Sequence, residues 1–194
     1  QNFRYLKNFL KMYNALPIDG LLADLGVSSH QFDEADRGFS TRFDAKLDMR
    51  MDQSTKLTAA IVLNSYSEED LKRIFKIYGE VENAGRLAYQ VVHVRNEKKI
   101  DTVNDLKTAI EKCVKRGREN KYYAQVFQAL RIEVNKELDA LQELLMQSIE
   151  VLKPGGRLVV ISYQSLEDKL VKNIIRSGKF EGEVEKDFFG NQLT

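Results

Sequence analysis

The feature that most constrains the fold is a region of about 100 residues with helical periodicity, which separates two short apolar stretches. The stretches are LLADL (residues 21–25) and RLVVISY (residues 157–163). Both have the length, the apolar composition and the flanking glycine or proline that are typical of buried strands. Strands that alternate with helices usually pair in parallel. The sequence therefore predicts an α/β fold whose parallel sheet is interrupted by an all-helical insertion.

Helical patterns precede the first strand and fill the insertion. Residues 3–14 repeat apolar side chains every three or four positions, which predicts a helix that ends before Pro17. From Ser54 onward, helical segments follow one another without a strand-like run between them. The segments near Ser67 and Thr102 each open with a capping-box pattern, so we expect helices to start there.

The longest helical pattern runs from about Tyr122 to Leu152, and we expect it to pack as one helix along the sheet. Pro154 and the two glycines after it end this pattern. After the second strand, Ser165 and Asp168 are predicted to cap a last helix.

These patterns divide the chain into a sheet-containing core, residues 1–46 and 122–194, and a helical insertion, residues 47–121. A parallel sheet needs several strands and cover on both faces, and two strands are too few. We therefore expect the chain to begin inside a domain. Residues 185–194 contain no closing element, so we expect the core to be incomplete at both ends.

Charge and cysteine content narrow the classes of function. The formal net charge of +1 gives no global argument for binding polyanions, although a local basic face remains compatible with it. The single cysteine, Cys113, excludes an internal disulfide and a CxxC metal site, and its apolar neighbours favour a core position. No run is long and apolar enough to span a membrane, and no leader is visible. We expect a cytoplasmic protein without a membrane or metal partner.

Polar side chains follow both predicted strands. Asp24 lies at the end of the first strand, and Ser162, Gln164 and Ser165 follow the second. In open parallel sheets, ligands bind beyond the carboxyl ends of the strands. Asp24 alone could instead cap its own loop, because aspartate, glycine and serine are common turn residues. Two polar strand ends at one crevice favour a binding site.

Five segments of the chain carry a more specific signal: residues 19–33, 37–40, 47–52, 127–138 and 152–172. In this order they resemble signatures of the RsmH/MraW family. This resemblance implies a Rossmann-like methyltransferase that uses S-adenosyl-L-methionine to methylate the 4-amino group of a cytosine in the decoding region of 16S rRNA, within the small ribosomal subunit. It also implies a helical insertion that helps to recognise RNA.

The resemblance also implies roles for individual residues. Phe3, Asp24 and Gln31 match residues that contact the cofactor in the family, and the less favoured alternative for Phe3 is a core residue of its helix. The loop that contains Ser28 and Ser29 is expected to form one wall of the pocket for the substrate amine.

The opposite wall of that pocket is expected to contain Ser162, Gln164 and Ser165. This chain departs from the family pattern here, because Gln164 stands where the family usually has histidine and Lys169 where it has arginine. His30 likewise replaces a proline. Gln164 can accept a hydrogen bond from an amine, but it is not a base near neutral pH. We therefore assign no catalytic base.

Methyl transfer from a sulfonium to an amine needs an in-line approach and a dry site, and it needs no covalent enzyme intermediate. Methylation at carbon 5 of cytosine would require an attacking thiolate. No Cys/His pair lies near the predicted crevice, which favours the amine as the acceptor.

Residues 112–121 form a basic stretch that could contact RNA phosphates, and Tyr122 and Tyr123 could stack on an unpaired base. The alternative is a solvated helix terminus. Arg37, Arg42 and Arg50 present a similar choice between touching RNA and holding their own loop.

Two other functions remain open at this point. The glycine-rich cofactor loop of the family does not occur in this chain, so one alternative is an RNA- or ribosome-binding module without catalysis. The other is a methyltransferase with a changed substrate. The sequence does not decide between a monomer and a homodimer.

Overall fold

The computed structural model describes residues 2–26 and 37–180. Contacts divide the chain into two compact units, the first made of Gln1–Gly26 and Leu138–Thr194 and the second of Val27–Glu137. These limits differ from the expected limits of the insertion, residues 47 and 121. The difference arises because the helix over Glu119–Asn135 packs against other helices of the second unit.

The first unit contains a parallel pair of strands, as the sequence predicts. In the register of the pair, Gly20 lies opposite Arg157 and Asp24 opposite Ile161, with an irregularity between Ile18 and Gly20. The elements of this unit are a 3-10 helix at Phe3–Tyr5, α1 (Leu6–Met12), β1 (Ile18–Asp24), α7 (Glu137–Val151), β2 (Leu152–Ile161) and α8 (Ser165–Ser177).

The two faces of this sheet are buried to different extents. Leu21, Ala23, Leu158 and Val160 pack against a core formed by residues of α7 and α8 together with Leu25. The opposite face is exposed, and it carries Leu22, Val159 and Ile161. The expectation of fully buried strands was therefore wrong, because residues on alternate sides of a strand point to opposite faces and only one face is covered among the described residues.

The predicted helix over residues 122–152 is two helices. Lys136 adopts a left-handed conformation with φ 50° and ψ 46°, and it ends α6 (Glu119–Asn135) before α7 begins. Asn135 contributes to this break because its side-chain amide donates to the carbonyl oxygen of Arg131, which competes with backbone pairing in the last turn. Of α6 and α7, only α7 contributes to the core beside the sheet.

The second unit is helical, as the sequence predicts. Within its described residues the only β-type pairing is an isolated antiparallel bridge between Lys46 and Thr102. The predicted capping box at Thr102 and Asp105 is present, and Ser67 caps its helix through the backbone N–H of Asp70. The other elements of this unit are α2 (Ala59–Ser65), α3 (Glu68–Ile77), α4 (Ala84–Glu97), α5 (Val103–Ile110) and a 3-10 helix at Glu111–Cys113.

One continuous apolar core stabilises the second unit. It includes Phe75 of α3, Leu87 of α4, Leu106 of α5 and Leu130 of α6, all fully buried. Cys113 is also buried, as expected, and burial raises the pKa of its thiol. Among residues 2–26 and 37–180, no helix has both the length and the apolar composition needed to cross a membrane.

Candidate cofactor and substrate site

The carboxyl ends of β1 and β2 lie side by side. Asp24, the last residue of β1, is exposed and lies opposite Ile161, the last residue of β2. The backbone N–H of Leu25 donates to the carbonyl oxygen of Ile161 at 3.0 Å, so the pairing continues one residue beyond Asp24. Asp24 and the polar residues that follow Ile161 therefore occupy the same edge of the sheet, which is where open α/β folds bind ligands.

The turn from β2 into α8 is held by a buried carboxylate. Glu167 is 4% exposed, and its Oε2 accepts a hydrogen bond from the backbone N–H of Tyr163 at 3.3 Å. Ser162 is half-buried and Ser165 is exposed. The prediction that Ser165 caps the helix was wrong, because Ser165 is already its first residue and Gln164 occupies the N-cap position without a side-chain cap bond. Glu167 instead fixes the start of the helix.

Gln164 carries an unsatisfied buried acceptor. Its side-chain oxygen, Oε1, is shielded from solvent and has no hydrogen-bond partner in the described part of the chain. Leaving a buried acceptor unpaired costs about 1–3 kcal/mol, so such groups are uncommon in folded proteins. A ligand with an N–H group directed at Oε1 would satisfy this atom. Gln164 thus has the chemistry expected of a residue that accepts a hydrogen bond from an amine.

Gly26 shapes the chain directly after β1. Its φ of +98° lies in a region that disfavours side chains, and a Cβ atom there would come within 3.9 Å of Cδ2 of Tyr163. The loop after β1 therefore starts beside the ring of Tyr163. Three predicted site residues of that loop, Ser28, Ser29 and Gln31, lie outside the described residues.

Phe3 belongs to the same unit and is 40% exposed. The alternative that Phe3 is a core residue of its helix is therefore wrong, and its ring is open to a ligand. The segment around Phe3 is fixed to α7: the guanidinium of Arg4 donates to both oxygens of Glu143, at 3.2 and 3.1 Å. The side chain of Gln147 also donates to the carbonyl oxygen of Arg4 at 2.6 Å and accepts from the backbone N–H of Lys7 at 2.9 Å.

Two of the three candidate arginines hold their own loop. The guanidinium of Arg50 donates to both carboxylate oxygens of Asp48 at 2.7 Å, and to the carbonyl oxygens of Gln53 and Thr55 at 3.0 and 2.6 Å. The hydrogen bond from Arg50 holds the pKa of Asp48 below its usual range. Arg37 donates to the carbonyl oxygen of Arg50. These contacts favour the loop-holding role for Arg37 and Arg50, while Arg42 has an exposed side chain.

The role of Asn135 was not predicted from the sequence. Its side-chain oxygen accepts from the backbone N–H of Met51 at 2.6 Å, and its amide donates to the carbonyl oxygen of Met49 at 2.8 Å. Met49 is fully buried and has a φ of +58°, which is strained for a residue with a long side chain. A polar residue within a long apolar helical pattern was the available signal for this clamp.

A buried acid lies one turn before the helix break. Glu133 is 2% exposed and accepts hydrogen bonds from the hydroxyl of Tyr66 at 2.8 Å and from Nζ of Lys136 at 2.6 Å. Burial, reinforced by the hydrogen bond to Glu133, raises the pKa of Tyr66 to about 12. The hydroxyl is therefore protonated at neutral pH and donates to the carboxylate.

The two tyrosines that could stack on RNA contact the core of the helical unit. Tyr122 and Tyr123 are half-buried beside the apolar cluster of the second unit. The hydroxyl of Tyr122 donates to Oδ1 of Asn83 at 2.9 Å, which fixes the ring. Each ring is partly covered by the core, which reduces the aromatic surface that these two residues can offer to a base. Within the described part of the chain, no group of three His, Cys, Asp or Glu side chains could hold a metal ion.

The chain is similar to known proteins over nearly its whole length. Residues 1–189 match the model of the MraW methylase family. Proteins named ribosomal RNA small subunit methyltransferase H are 56% identical in Christiangramia forsetii over 98% of this chain, and 55% identical in Phocaeicola vulgatus over the whole chain. The chain spans 63% and 64% of the length of these two relatives. The family match covers nearly every residue, including both strands and all of the helices described above: this chain belongs to the MraW methylase family.

Proposed function

We propose that the complete protein transfers a methyl group from S-adenosyl-L-methionine to the 4-amino group of a cytosine in the decoding region of 16S rRNA. The relatives' names support an rRNA of the small subunit as the substrate. The observation that carries the proposal is the position of two groups at one sheet edge: Asp24 is the last residue of β1, and Gln164, with its unsatisfied oxygen, follows β2.

Asp24 is the residue proposed to bind the methyl donor. S-adenosyl-L-methionine carries an ammonium group, an exocyclic amine and hydroxyls, all of which donate hydrogen bonds that an exposed carboxylate can accept. The exposed ring of Phe3 offers an apolar surface for the same ligand, and Gln31 completes the proposed set. S-adenosyl-L-methionine supplies the electrophilic methyl group, and these residues bind and orient it.

Gln164 is proposed to orient the substrate. Its Oε1 accepts one N–H of the cytosine amine, which fixes the plane of the base and directs the nitrogen toward the methyl donor. Ser28, Ser29, Ser162 and Ser165 are proposed to form the walls around the amine. Gln164 does not become protonated near neutral pH, so the proton released on transfer passes to another acceptor.

The only cysteine of the chain supports the amine as the methyl acceptor. Cys113 lies in the core of the helical unit, and burial raises the pKa of its thiol. Attack on carbon 6 of cytosine, which carbon-5 methylation requires, needs a thiolate exposed to the substrate. The helical unit, which contains Cys113, is proposed to recognise the RNA and to take no part in the chemistry. A cytoplasmic location is proposed because the proposed substrate is ribosomal RNA. A homodimer is retained as an alternative to a monomer.

The test uses the complete gene product and small ribosomal subunits from a strain that lacks this methylation. The subunits are incubated with S-adenosyl-L-methionine labelled in its methyl group, and the rRNA is digested to nucleosides. We expect the label in N4-methylcytidine. Label on carbon 5 or on a ribose would overturn the proposed chemistry. RNA binding without any labelled nucleoside would favour the alternative of a non-catalytic RNA-binding module, and a labelled small molecule or protein would indicate a changed substrate.

A further inference from the structure

The helical unit contains a pocket of about 270 Å³. It lies beside the start of α4, the 3-10 helix at Glu111–Cys113 and the first turns of α6. Three cationic residues, Lys115, Arg118 and Lys121, and two acidic residues, Glu80 and Glu82, line it, so cations exceed carboxylates by one. Asn83, Cys113, Tyr122 and Gln125 complete the lining. The hydrogen bond between Tyr122 and Asn83 fixes one wall of the pocket, and Asn83 also donates to the carbonyl oxygen of Cys113 at 2.9 Å.

Of the three cations that line this pocket, only Lys115 forms an ion pair with a described residue. Nζ of Lys115 forms an ion pair with Glu82 at 3.0 Å. The pKa of Glu82 is lowered mainly by its hydrogen bond to Lys115, and additionally by the nearby charges of Arg118 and Lys121. These two side chains form no ion pair or hydrogen bond of their own within the described part of the chain. Arg118 and Lys121 can therefore bind an anion without breaking a side-chain hydrogen bond or ion pair.

One face of α4 continues from this pocket. Asn83 lines the pocket, and Arg86, Tyr89 and His93 follow at steps of three, three and four residues, which places the last three on one side of the helix. The guanidinium of Arg86 donates to the carbonyl oxygen of Lys112, so this face adjoins the basic stretch of residues 112–121.

Tyr89 and His93 form an exposed aromatic pair. Their rings are parallel to within 2°, and the centroids are 6.1 Å apart. Tyr89 is 58% exposed, and the His93 side chain is exposed to the same extent. Unlike Tyr122 and Tyr123, this pair presents aromatic surface to solvent. Aromatic faces of this kind stack on nucleobases of any sequence.

Cations in a pocket together with an exposed ring pair suit an unpaired nucleic-acid strand. Phosphates are anions that Arg and Lys bind, and unpaired bases have free faces that stack on aromatic rings. A duplex offers the phosphates but keeps its bases stacked inside, so it cannot use the ring pair. A small anion could use the pocket but not the rings.

We propose that the pocket and the Tyr89–His93 pair form a binding track for an unpaired segment of the substrate RNA, with a backbone phosphate held by Arg118 and Lys121 and a base stacked on the ring pair. The proposal rests on the proposed rRNA substrate and adds which surface of the helical unit binds it, and in which form.

The test measures binding of a short fluorescently labelled oligoribonucleotide to the complete gene product by anisotropy, single-stranded and as a duplex of the same sequence. Tyr89→Ala should weaken binding of the single strand about fivefold or more, as expected for the loss of one base–aromatic stack. Arg118→Gln/Lys121→Gln should weaken it and lower the slope of log K against log salt concentration by about 0.7 for each phosphate that the variant no longer neutralises.

Matched control variants remove the same types of side chain at exposed positions outside the pocket and the ring pair. Lys56→Gln/Arg176→Gln removes one lysine and one arginine that are exposed outside the pocket, and Tyr13→Ala removes another exposed tyrosine. Both should leave the affinity within about twofold, as expected for surface changes outside the track. Thermal unfolding of each variant shows whether it is folded, and Tyr89→Phe, which keeps the ring, should bind like the unchanged protein.

Equal reductions of affinity in the variants and their matched controls would overturn the track, as would equal dependence of single-stranded and duplex binding on Tyr89. Failure to bind the single strand at all would overturn it too. The nucleoside assay is independent of these results: a protein that yields N4-methylcytidine but shows no effect of Tyr89, Arg118 and Lys121 binds its rRNA elsewhere. In that case the proposed function stands and the track is rejected.

Discussion

A hydrogen bond joins Asn135 to Met49, which lies 86 positions earlier in the sequence: the side-chain amide of Asn135 donates to the carbonyl oxygen of Met49 at 2.8 Å. This contact, together with the bond from the Met51 N–H, holds a fully buried methionine in the left-handed region. The same side chain bonds to Arg131 and so takes part in ending α6. One amide thus fixes both the loop over residues 48–55 and the break between the two long helices.

Replacement of Asn135 by alanine should therefore destabilise the protein by about 2 kcal/mol or more, because it leaves the Met51 N–H and the Met49 carbonyl without partners in a half-buried site. The free energy of unfolding in urea measures this change. Asn96→Ala is the matched control, since Asn96 is exposed on α4 and its side chain has no hydrogen bond within the described residues. Similar values for the two variants would contradict the clamp.

Asp24→Asn in the complete protein should weaken binding of S-adenosyl-L-methionine by about 1–3 kcal/mol, because a charge-assisted hydrogen bond becomes a neutral one. Calorimetric titration measures the change. Asp19→Asn provides the control: Asp19 lies near the other end of β1 and forms an exposed ion pair with Lys153, whose removal should cost less than about 1 kcal/mol and should not affect the cofactor. An unchanged affinity in Asp24→Asn would remove Asp24 from the cofactor site.

Gln164→Met should raise stability slightly while lowering methyl transfer about tenfold or more. Methionine has nearly the shape of glutamine but no buried oxygen to leave unsatisfied, so the folded protein gains stability. The substrate amine in turn loses the acceptor that orients it. Urea unfolding and single-turnover methylation measure the two effects, and the affinity for the cofactor should not change. A decrease of stability in Gln164→Met would show that Oε1 has a stabilising partner.

Gln164→His should introduce a pH dependence that the unchanged protein lacks at this position. Neutral imidazole can accept the amine hydrogen bond, but imidazolium cannot, so the rate should fall as the pH drops through about 6.5. A glutamine amide does not titrate in this range. The pH–rate profiles of the two proteins, compared from mildly acidic to mildly alkaline conditions, check the prediction, and parallel profiles would argue against contact between residue 164 and the amine.

Tyr66→Phe should reduce the loss of stability in strong alkali. The pKa of Tyr66 is raised from 10.0 to about 12 in the folded protein. A group whose folded pKa is raised contributes stability that is complete below about pH 10 and is lost as the pH rises through about 12. The difference in unfolding free energy between the unchanged protein and Tyr66→Phe should shrink over this window. Tyr13→Phe, at an exposed position, should show no such trend.

Sequence periodicity was sufficient for the parts of the fold that depend on local pattern. The parallel pairing of β1 and β2, the helical nature of the second unit and the capping box at Thr102 and Asp105 were all predictable, because alternation, spacing and capping chemistry are written in neighbouring residues. Asp24 and the residues after Ile161 could be placed at one sheet edge for the same reason. Parallel strands end on the same side.

The features that sequence reasoning missed depend on contacts between distant residues. No glycine or proline marks the helix break at Lys136. The residue before it, Asn135, donates a hydrogen bond to the carbonyl oxygen of Met49. The sequence places Tyr122 after a basic stretch, but it does not reveal that the hydroxyl of Tyr122 donates a hydrogen bond to Asn83. The burial of Oε1 of Gln164 likewise depends on how the β2–α8 turn folds, which a single sequence does not reveal.

The unpaired oxygen of Gln164 has a consequence for the end of the proposed catalytic cycle. Before transfer, the cytosine amine has two N–H groups, and one can satisfy Oε1 while the nitrogen approaches the donor. After transfer and release of a proton, the amine has one N–H and a methyl group that cannot donate. The product keeps one N–H, and this N–H satisfies the buried oxygen only when it is turned toward Oε1 and the methyl group is turned away. Either N–H of the substrate can do so, and the other orientation of the product leaves the acceptor unpaired. The turn between β2 and α8 would in this way favour unmethylated over methylated RNA without any moving part.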